Sequence, residues 1–128
     1  MLTAQQVQGR ARGNAGDAEG WLIHGFLVRK AEKSHGTGQR IEGFREPGAR
    51  VVIVDDVCTT GASTVQAIEA AREFGFEVIG VMCLVEREEA NGRAGIEQAA
   101  APAPFLALFT AREVREEHLT LKKDRAIV

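Results

Sequence analysis

The sequence predicts an α/β fold built on a parallel sheet, and three stretches carry that prediction. Val51, Val52, Ile53 and Val54 form a branched apolar run with no polar alternation, the pattern of a strand covered on both faces by helices. After Ser63 the period changes, and Val65, Ile68, Ala71 and Phe74, with Ala67 and Ala70 beside them, recur at helical spacing. A second apolar run, from Val78 through Val85, follows Gly75 and completes the strand, helix, strand order of a parallel sheet.

The chain is one small domain: 128 residues at 45% hydrophobic composition supply enough apolar material for a single core. A net charge of -2 gives no general reason to expect nucleic-acid binding. No apolar run approaches membrane-spanning length, and residues 1–20 lack the basic and then apolar regions of a signal peptide, so the expected setting is cytoplasmic, with no membrane contact. Cys58 and Cys83 have neither metal-ligand spacing nor a disulfide pattern and are expected to be reduced thiols.

Each element follows in order. Residues 1–20, rich in glycine and polar side chains, read as a flexible leader with a short possible helix over residues 2–8. Residues 21–28 read as one strand with His24 packed inside it, and residues 29–45 as a charged, glycine-bearing surface loop. Pro47-Gly48 turns the chain into the central strand, which starts near Ala49. The helix is expected over residues 64–74 with Gly75 as its C-terminal cap, and the next strand over residues 77–84. Residues 88–100 read as a helix weakened by Asn91-Gly92 and Gly95, residues 101–104 as a connector and residues 105–109 as a short buried strand. Thr110 and Glu113 form a capping box for a last helix, and residues 118–128 are expected to be a surface tail. The domain division is thus a leader at 1–20, a core at 21–117 and a tail at 118–128.

The chemistry concentrates where the central strand ends. Asp55 and Asp56 are followed by Thr59, Thr60, Gly61, Ala62 and Ser63, just before a helix. Backbone N–H groups at a helix start, together with its dipole, favour an anion, and a small hydroxyl-rich loop there can cradle a phosphate. Two carboxylates beside such a cradle make sense if they face ribose hydroxyls or a magnesium ion brought in by the ligand. Acidic residues at strand ends also cap helices or bind metals in unrelated folds, and the pair acquires its meaning from the attached loop. Arg29, Lys30, Lys33 and His35 read by themselves as a solvated charge cluster. Beside a polyanionic ligand they become a mobile arm able to close on a leaving group.

These stretches resemble a known family. VVIVDDVCTTGAS, residues 51–63, resembles the phosphoribosyl-diphosphate signature of type I phosphoribosyltransferases, and VRKAEKSHG, residues 28–36, is similar to the catalytic loop of orotate phosphoribosyltransferases. The resemblance implies a Rossmann-like, parallel-sheet phosphoribosyltransferase core with a mobile catalytic loop, shortened at its N-terminal side. The family's N-terminal hood, earlier strands and pyrophosphate loop are not recognisable in residues 1–20. The implied reaction transfers a phosphoribosyl group from 5-phosphoribosyl 1-diphosphate to orotate, in pyrimidine nucleotide biosynthesis, with magnesium carried by the ligand.

The resemblance assigns Asp55 and Asp56 to the ribose hydroxyls and to the developing charge at the sugar carbon. Residues Val57, Cys58, Thr59, Thr60, Gly61, Ala62 and Ser63 would hold the 5-phosphate, with Thr59 also near the base. Lys33 and His35 would act on the leaving pyrophosphate, supported by Arg29 and Lys30, and Arg87 would take the orotate carboxylate. The implied assembly is a homodimer in which the arm over residues 29–35 reaches across the interface. Two alternatives accompany this reading: a catalytically incomplete phosphoribosyl-diphosphate-binding regulator or remnant, and a transferase for another base.

Overall fold

The structure is a computed structural model, and it describes residues 8–10, 22–30 and 40–126. Seven strands and three helices follow in the order β1 (Gln8–Arg10), β2 (Leu22–His24), β3 (Phe26–Val28), β4 (Ile41–Gly43), β5 (Arg50–Cys58), α1 (Ala62–Phe74), β6 (Glu77–Glu86), α2 (Arg93–Ala100), β7 (Phe105–Thr110) and α3 (Ala111–Ala126). A short 3-10 turn, Glu88–Ala90, precedes α2. The main sheet is parallel, in the order β5-β6-β7, with Val54 paired to Met82 and Met82 to Leu106. Two small antiparallel pairs, β1 with β2 and β3 with β4, precede it in sequence.

The core lies where α1 and α2 meet this sheet. Val51, Ile53, Val81 and Cys83 point from β5 and β6 into a cluster with Ala67, Ile68, Ala71 and Ile96, all buried. Gly75 closes α1 at φ 107°, a left-handed conformation that glycine adopts without a Cβ penalty, and its N–H bonds Arg72 while that of Phe76 bonds Ala71. Arg72 reaches from the last turn of α1 to the carbonyls of Ala99, Ala100 and Ala101, satisfying the C-terminal end of α2. Phe26, Phe44, Phe74 and Phe76 form an aromatic group under β3 and β4, and His24 stacks on Phe44 with ring centroids 4.9 Å apart.

Several elements differ from the sequence reading. The strand expected over residues 21–28 is two strands broken at Gly25, each in its own hairpin. Gln8–Arg10, read as part of a leader with a possible helix, is a strand against Leu22–His24; residues 1–7 and 11–21 lie outside the described residues. The central strand continues through both aspartates to Cys58, because its ladder to β6 extends as far as Cys58 opposite Glu86.

Among the described residues, cover by helices on both faces is not what β5 to β7 show. Val52, Val54 and Met82 are half-buried on the face away from α1, while Leu84, Leu106 and Leu108 beside them are exposed. The strand β7, expected to be buried, leaves Leu106 57% and Phe109 55% exposed, since it is the sheet edge. The tail expected from residue 118 is the body of α3, whose residues are largely exposed; the reciprocal bonds of Thr110 and Glu113 at 2.7 and 3.1 Å form the expected capping box.

Candidate functional site

Strand β5 delivers two adjacent carboxylates whose surroundings are opposite, because successive side chains on a strand point to opposite faces. Asp55 shares the face of Val51 and Ile53 and is turned under the first turn of α1, at 9% exposure. Its Oδ2 accepts the Thr64 hydroxyl at 2.9 Å and its Oδ1 accepts the Asp56 N–H at 2.9 Å. Burial pushes the Asp55 carboxyl above its ordinary range, while the Thr64 hydroxyl pulls it back. Asp56 is exposed and accepts the Val57 N–H at 2.7 Å, and that bond holds its carboxyl below the usual range.

Beyond them the chain turns into α1. Gly61 sits at φ 83°, a left-handed angle that makes glycine the fitting residue, and its carbonyl accepts the Val65 N–H at 2.9 Å to open the helix. Thr59, Thr60 and Ser63 are exposed around this turn, Gly61 is buried, and no acidic residue occupies the first turn of α1. The arrangement combines helix-start amide donors, hydroxyls and an uncompensated positive dipole end, which is the chemistry of an anion site. The hydroxyl groups and the exposed Asp56 therefore lie together at the carboxyl end of the central strand, where parallel sheets bind ligands.

Cys58, which the resemblance counts in the phosphate loop, is the last residue of β5, buried, with Sγ 3.5 Å from the Thr64 hydroxyl. Burial raises its thiol, and raises that of Cys83 to about 12, so both are packed thiols with little thiolate character at neutral pH. Val57 and Ala62 are exposed at the two ends of the turn.

Arg87 stands at the end of β6, more than half exposed, with Nε 3.1 Å from Glu89 Oε1 and its own N–H bonded to the Cys58 carbonyl at 2.9 Å. The strand end thus sits directly beside the phosphate-type loop. Arg29 pairs with Glu42, and its N–H bonds the Arg40 carbonyl at 2.6 Å, so it belongs to the base of the β3–β4 hairpin; Lys30 beside it is exposed. Lys33 and His35, assigned to the leaving group, lie outside the described residues.

Residues that sequence reasoning passed over complete the surroundings. Thr64 was given no role, although a hydroxyl nine positions after Asp55 and in the first turn of the helix is the signal that could have found it. Glu86, the last residue of β6, is buried and takes a two-point ion pair from Arg93, at 2.8 and 2.7 Å. Arg93 also lies 5.0 Å from the Phe105 ring centroid. A cleft of about 370 Å³ there is lined by Glu86, Glu88, Asn91, Arg93, Ala94 and Glu97. Its carboxylates, with the arginine already paired, suit an anionic ligand poorly compared with the loop at residues 59–63.

Among the described residues no group of three His, Cys, Asp or Glu side chains is gathered to hold a metal ion. The exposed Asp56 carboxylate fits a hard cation that arrives with phosphate oxygens and keeps most of its own ligands. No described helix is long and apolar enough to cross a membrane.

Comparison with known proteins converges on one group. The family model for the phosphoribosyl transferase domain matches residues 26–96. The chain is 50% identical to the orotate phosphoribosyltransferase of Aquifex aeolicus over 92 residues, which is 72% of this chain and 49% of that protein. It is 45% identical over 92 residues to that of Streptomyces avermitilis, again 72% of this chain and 50% of that protein. Among solved structures, the Mycobacterium tuberculosis H37Rv orotate phosphoribosyltransferase in complex with 5-phospho-alpha-D-ribosyl 1-diphosphate superposes with a TM-score of 0.60 at 33% identity, over 74% of this chain and 52% of that one. The orotate phosphoribosyltransferase from Aeropyrum pernix superposes with a TM-score of 0.59 at 35% identity, over 72% and 50%. The chain spans about half the length of the curated relatives it matches.

Proposed function

Because the chain belongs to the phosphoribosyl transferase domain family, we propose that it transfers a phosphoribosyl group from 5-phosphoribosyl 1-diphosphate to orotate, giving orotidine 5'-phosphate and pyrophosphate. The observation that carries the proposal is the turn over residues 59–63, set at the start of α1 directly after an exposed carboxylate. Such a turn suits the 5-phosphate, and the carboxylate suits the ribose hydroxyls next to it. The orotate phosphoribosyltransferases at 45% and 50% identity support orotate as the acceptor.

In this reading the 5-phosphate takes amide and hydroxyl donors from Thr59, Thr60, Gly61, Ala62 and Ser63, with Val57 and Cys58 shaping the approach. Asp56 accepts from the ribose hydroxyls, and Asp55, its oxygens already engaged, adds negative charge below the sugar as positive character develops there. Arg87 releases Glu89 to hold the orotate carboxylate, a planar guanidinium on a planar acceptor. Lys33 and His35, with Arg29 and Lys30, would close on the departing pyrophosphate. Asp56 would be the residue to meet a magnesium ion brought in by the diphosphate, which would neutralise charge on the leaving group. Positioning and charge stabilisation, without a covalent nucleophile, account for such a transfer.

We assign the working form to a homodimer in which the arm over residues 29–35 serves the partner's site, and the setting to the cytoplasm, which suits two free thiols. One second reading is a chain that binds phosphoribosyl diphosphate without turning it over, resting on the turn at residues 59–63 and Asp56 alone. The deciding experiment follows orotate consumption by ultraviolet absorbance, with magnesium, phosphoribosyl diphosphate and protein concentrated enough to dimerise. Turnover supports the transferase. Binding of phosphoribosyl diphosphate by titration, with orotate unchanged, selects the second reading, and absence of both overturns the site assignment.

A further inference from the structure

The turn over residues 59–61 has no room to spare beneath it. A Cβ built on Gly92 would lie 2.3 Å from the Thr59 carbonyl oxygen, 2.7 Å from the Thr60 carbonyl carbon and 2.9 Å from the Gly61 nitrogen. All three are backbone atoms of consecutive residues, so no side-chain rotation relieves the overlap. Gly92 has φ -79° and ψ -20°, angles open to any residue, so glycine is needed there for closeness alone. The contact is reciprocal: a Cβ on Gly61 would lie 2.8 Å from Ile96 Cγ1 and 3.0 Å from the Gly92 carbonyl oxygen.

The segment that makes this contact is itself held firmly. The Arg87 N–H bonds the Cys58 carbonyl at one end, and Arg93 is pinned to buried Glu86 by two bonds at the other. Ile96 is fully buried, and its N–H bonds the Gly92 carbonyl at 3.2 Å. The start of α2 is therefore a fixed surface against which the turn is pressed.

We propose that Gly92 and Ile96 are positioning residues for the 5-phosphate: they set the backbone path of residues 59–61 without touching the ligand. The inference rests on the reading of that turn as the phosphate site. A Cβ at position 92 moves the turn or the start of α2 by most of an ångström, and misplacement on that scale costs about 10- to 100-fold in affinity.

The test compares the parent with Gly92→Ala, Ile96→Val and, as a control, Gly95→Ala, where a Cβ meets nothing within 4 Å. Two quantities are read: affinity for phosphoribosyl diphosphate with magnesium by calorimetry, and the backbone amide resonances of residues 59–63 without ligand. Gly92→Ala should shift those amides and weaken binding at least about 10-fold with a cooperative melt retained, and Gly95→Ala should match the parent in both. Gly92→Ala that binds as the parent does, with unmoved amides, overturns the inference. If the parent itself does not bind, the reading of the site fails, and the amides alone decide whether position 92 sets the turn. If Gly92→Ala does not fold, Ile96→Val decides: loss of its Cδ1 should shift the Gly61 amide and weaken binding about 2- to 5-fold, and no change in either overturns the inference.

Discussion

Replacing Thr64 by valine keeps the shape of the side chain and removes one hydroxyl from beneath Asp55. The hydroxyl is 1% exposed at the residue level and donates to Asp55 Oδ2 at 2.9 Å, so water cannot readily take its place. A hydrogen bond to an ionised group contributes about 1.5–3 kcal/mol, and the loss is expected to be about 2 kcal/mol at neutral pH. With about 2.1 cal/mol/K per residue of unfolding entropy, the chain of 128 residues has about 0.27 kcal/mol/K, so Tm should fall by about 7 °C. The pH dependence identifies the cause. Asp55 is raised by burial and lowered by Thr64, so the variant carries it higher still. A carboxyl raised in the folded state contributes stability that is complete below its unfolded value of 3.8 and is lost as pH rises through the folded value. Parent and variant should thus differ least below pH 3.8, where a neutral acid accepts a weaker bond, and differ fully only above the variant's higher midpoint. Thermal melts followed by circular dichroism from acid to neutral pH give both quantities. A Tm unchanged at neutral pH, or a difference that does not grow with pH, refutes the role given to this hydroxyl.

Asp56→Asn should weaken phosphoribosyl diphosphate by about 100-fold in calorimetry, since an exposed carboxylate kept ionised by the Val57 N–H is the ribose acceptor in the proposed reaction. Its depressed carboxyl contributes stability present above 3.8 and lost as pH falls through the lower folded value, so the parent alone should show that acid-side loss in melts below pH 3.8. Glu86→Gln should cost about 1 kcal/mol in urea unfolding, at the low end for a buried ion because Arg93 is 45% exposed and regains water; an unchanged midpoint would count against Glu86 as an anchor of α2. Arg87→Ala should raise KM for orotate by about 10- to 100-fold and leave unfolding within about 0.5 kcal/mol of the parent; an unchanged KM removes Arg87 from orotate recognition.

The parts of the fold that could be read from sequence are those encoded by local pattern. The run at residues 51–54, the stripe from Val65 to Phe74 and the stop at Gly75 became β5, α1 and a left-handed cap because each is settled within a few residues. The extent of β5 was misjudged, since aspartates disfavour strands and only the ladder to β6 carries Asp55 and Asp56 into one. Likewise α3 runs through what read as a tail, because residues 118–126 have few apolar positions and lie largely exposed. In the site, the identities of the loop were legible and the inequality of the two aspartates was not. That inequality comes from which face of β5 meets α1, and one residue of register would exchange their roles. The need for glycine at position 92 was hidden for a similar reason: it read as a weak point in a helix, while its cause is a contact with residues more than thirty positions earlier.

The opposition of the two aspartates also explains how the proposed phosphate site tolerates acidic neighbours. A helix start attracts any anion, and a carboxylate beneath it would compete for the amides that a phosphate needs. Here Asp55 takes its bonds from the Asp56 N–H and the Thr64 hydroxyl, and Asp56 takes its bond from the Val57 N–H. Those donors belong to the strand and to a side chain, not to the backbone of the turn at residues 60–63. Asp56, on the opposite face and ionised, can then meet hydroxyls without drawing on the turn. The separation of a structural acid from an exposed one follows from strand alternation alone, and exchange of their environments by a shifted register would remove both the support of α1 and the open acceptor.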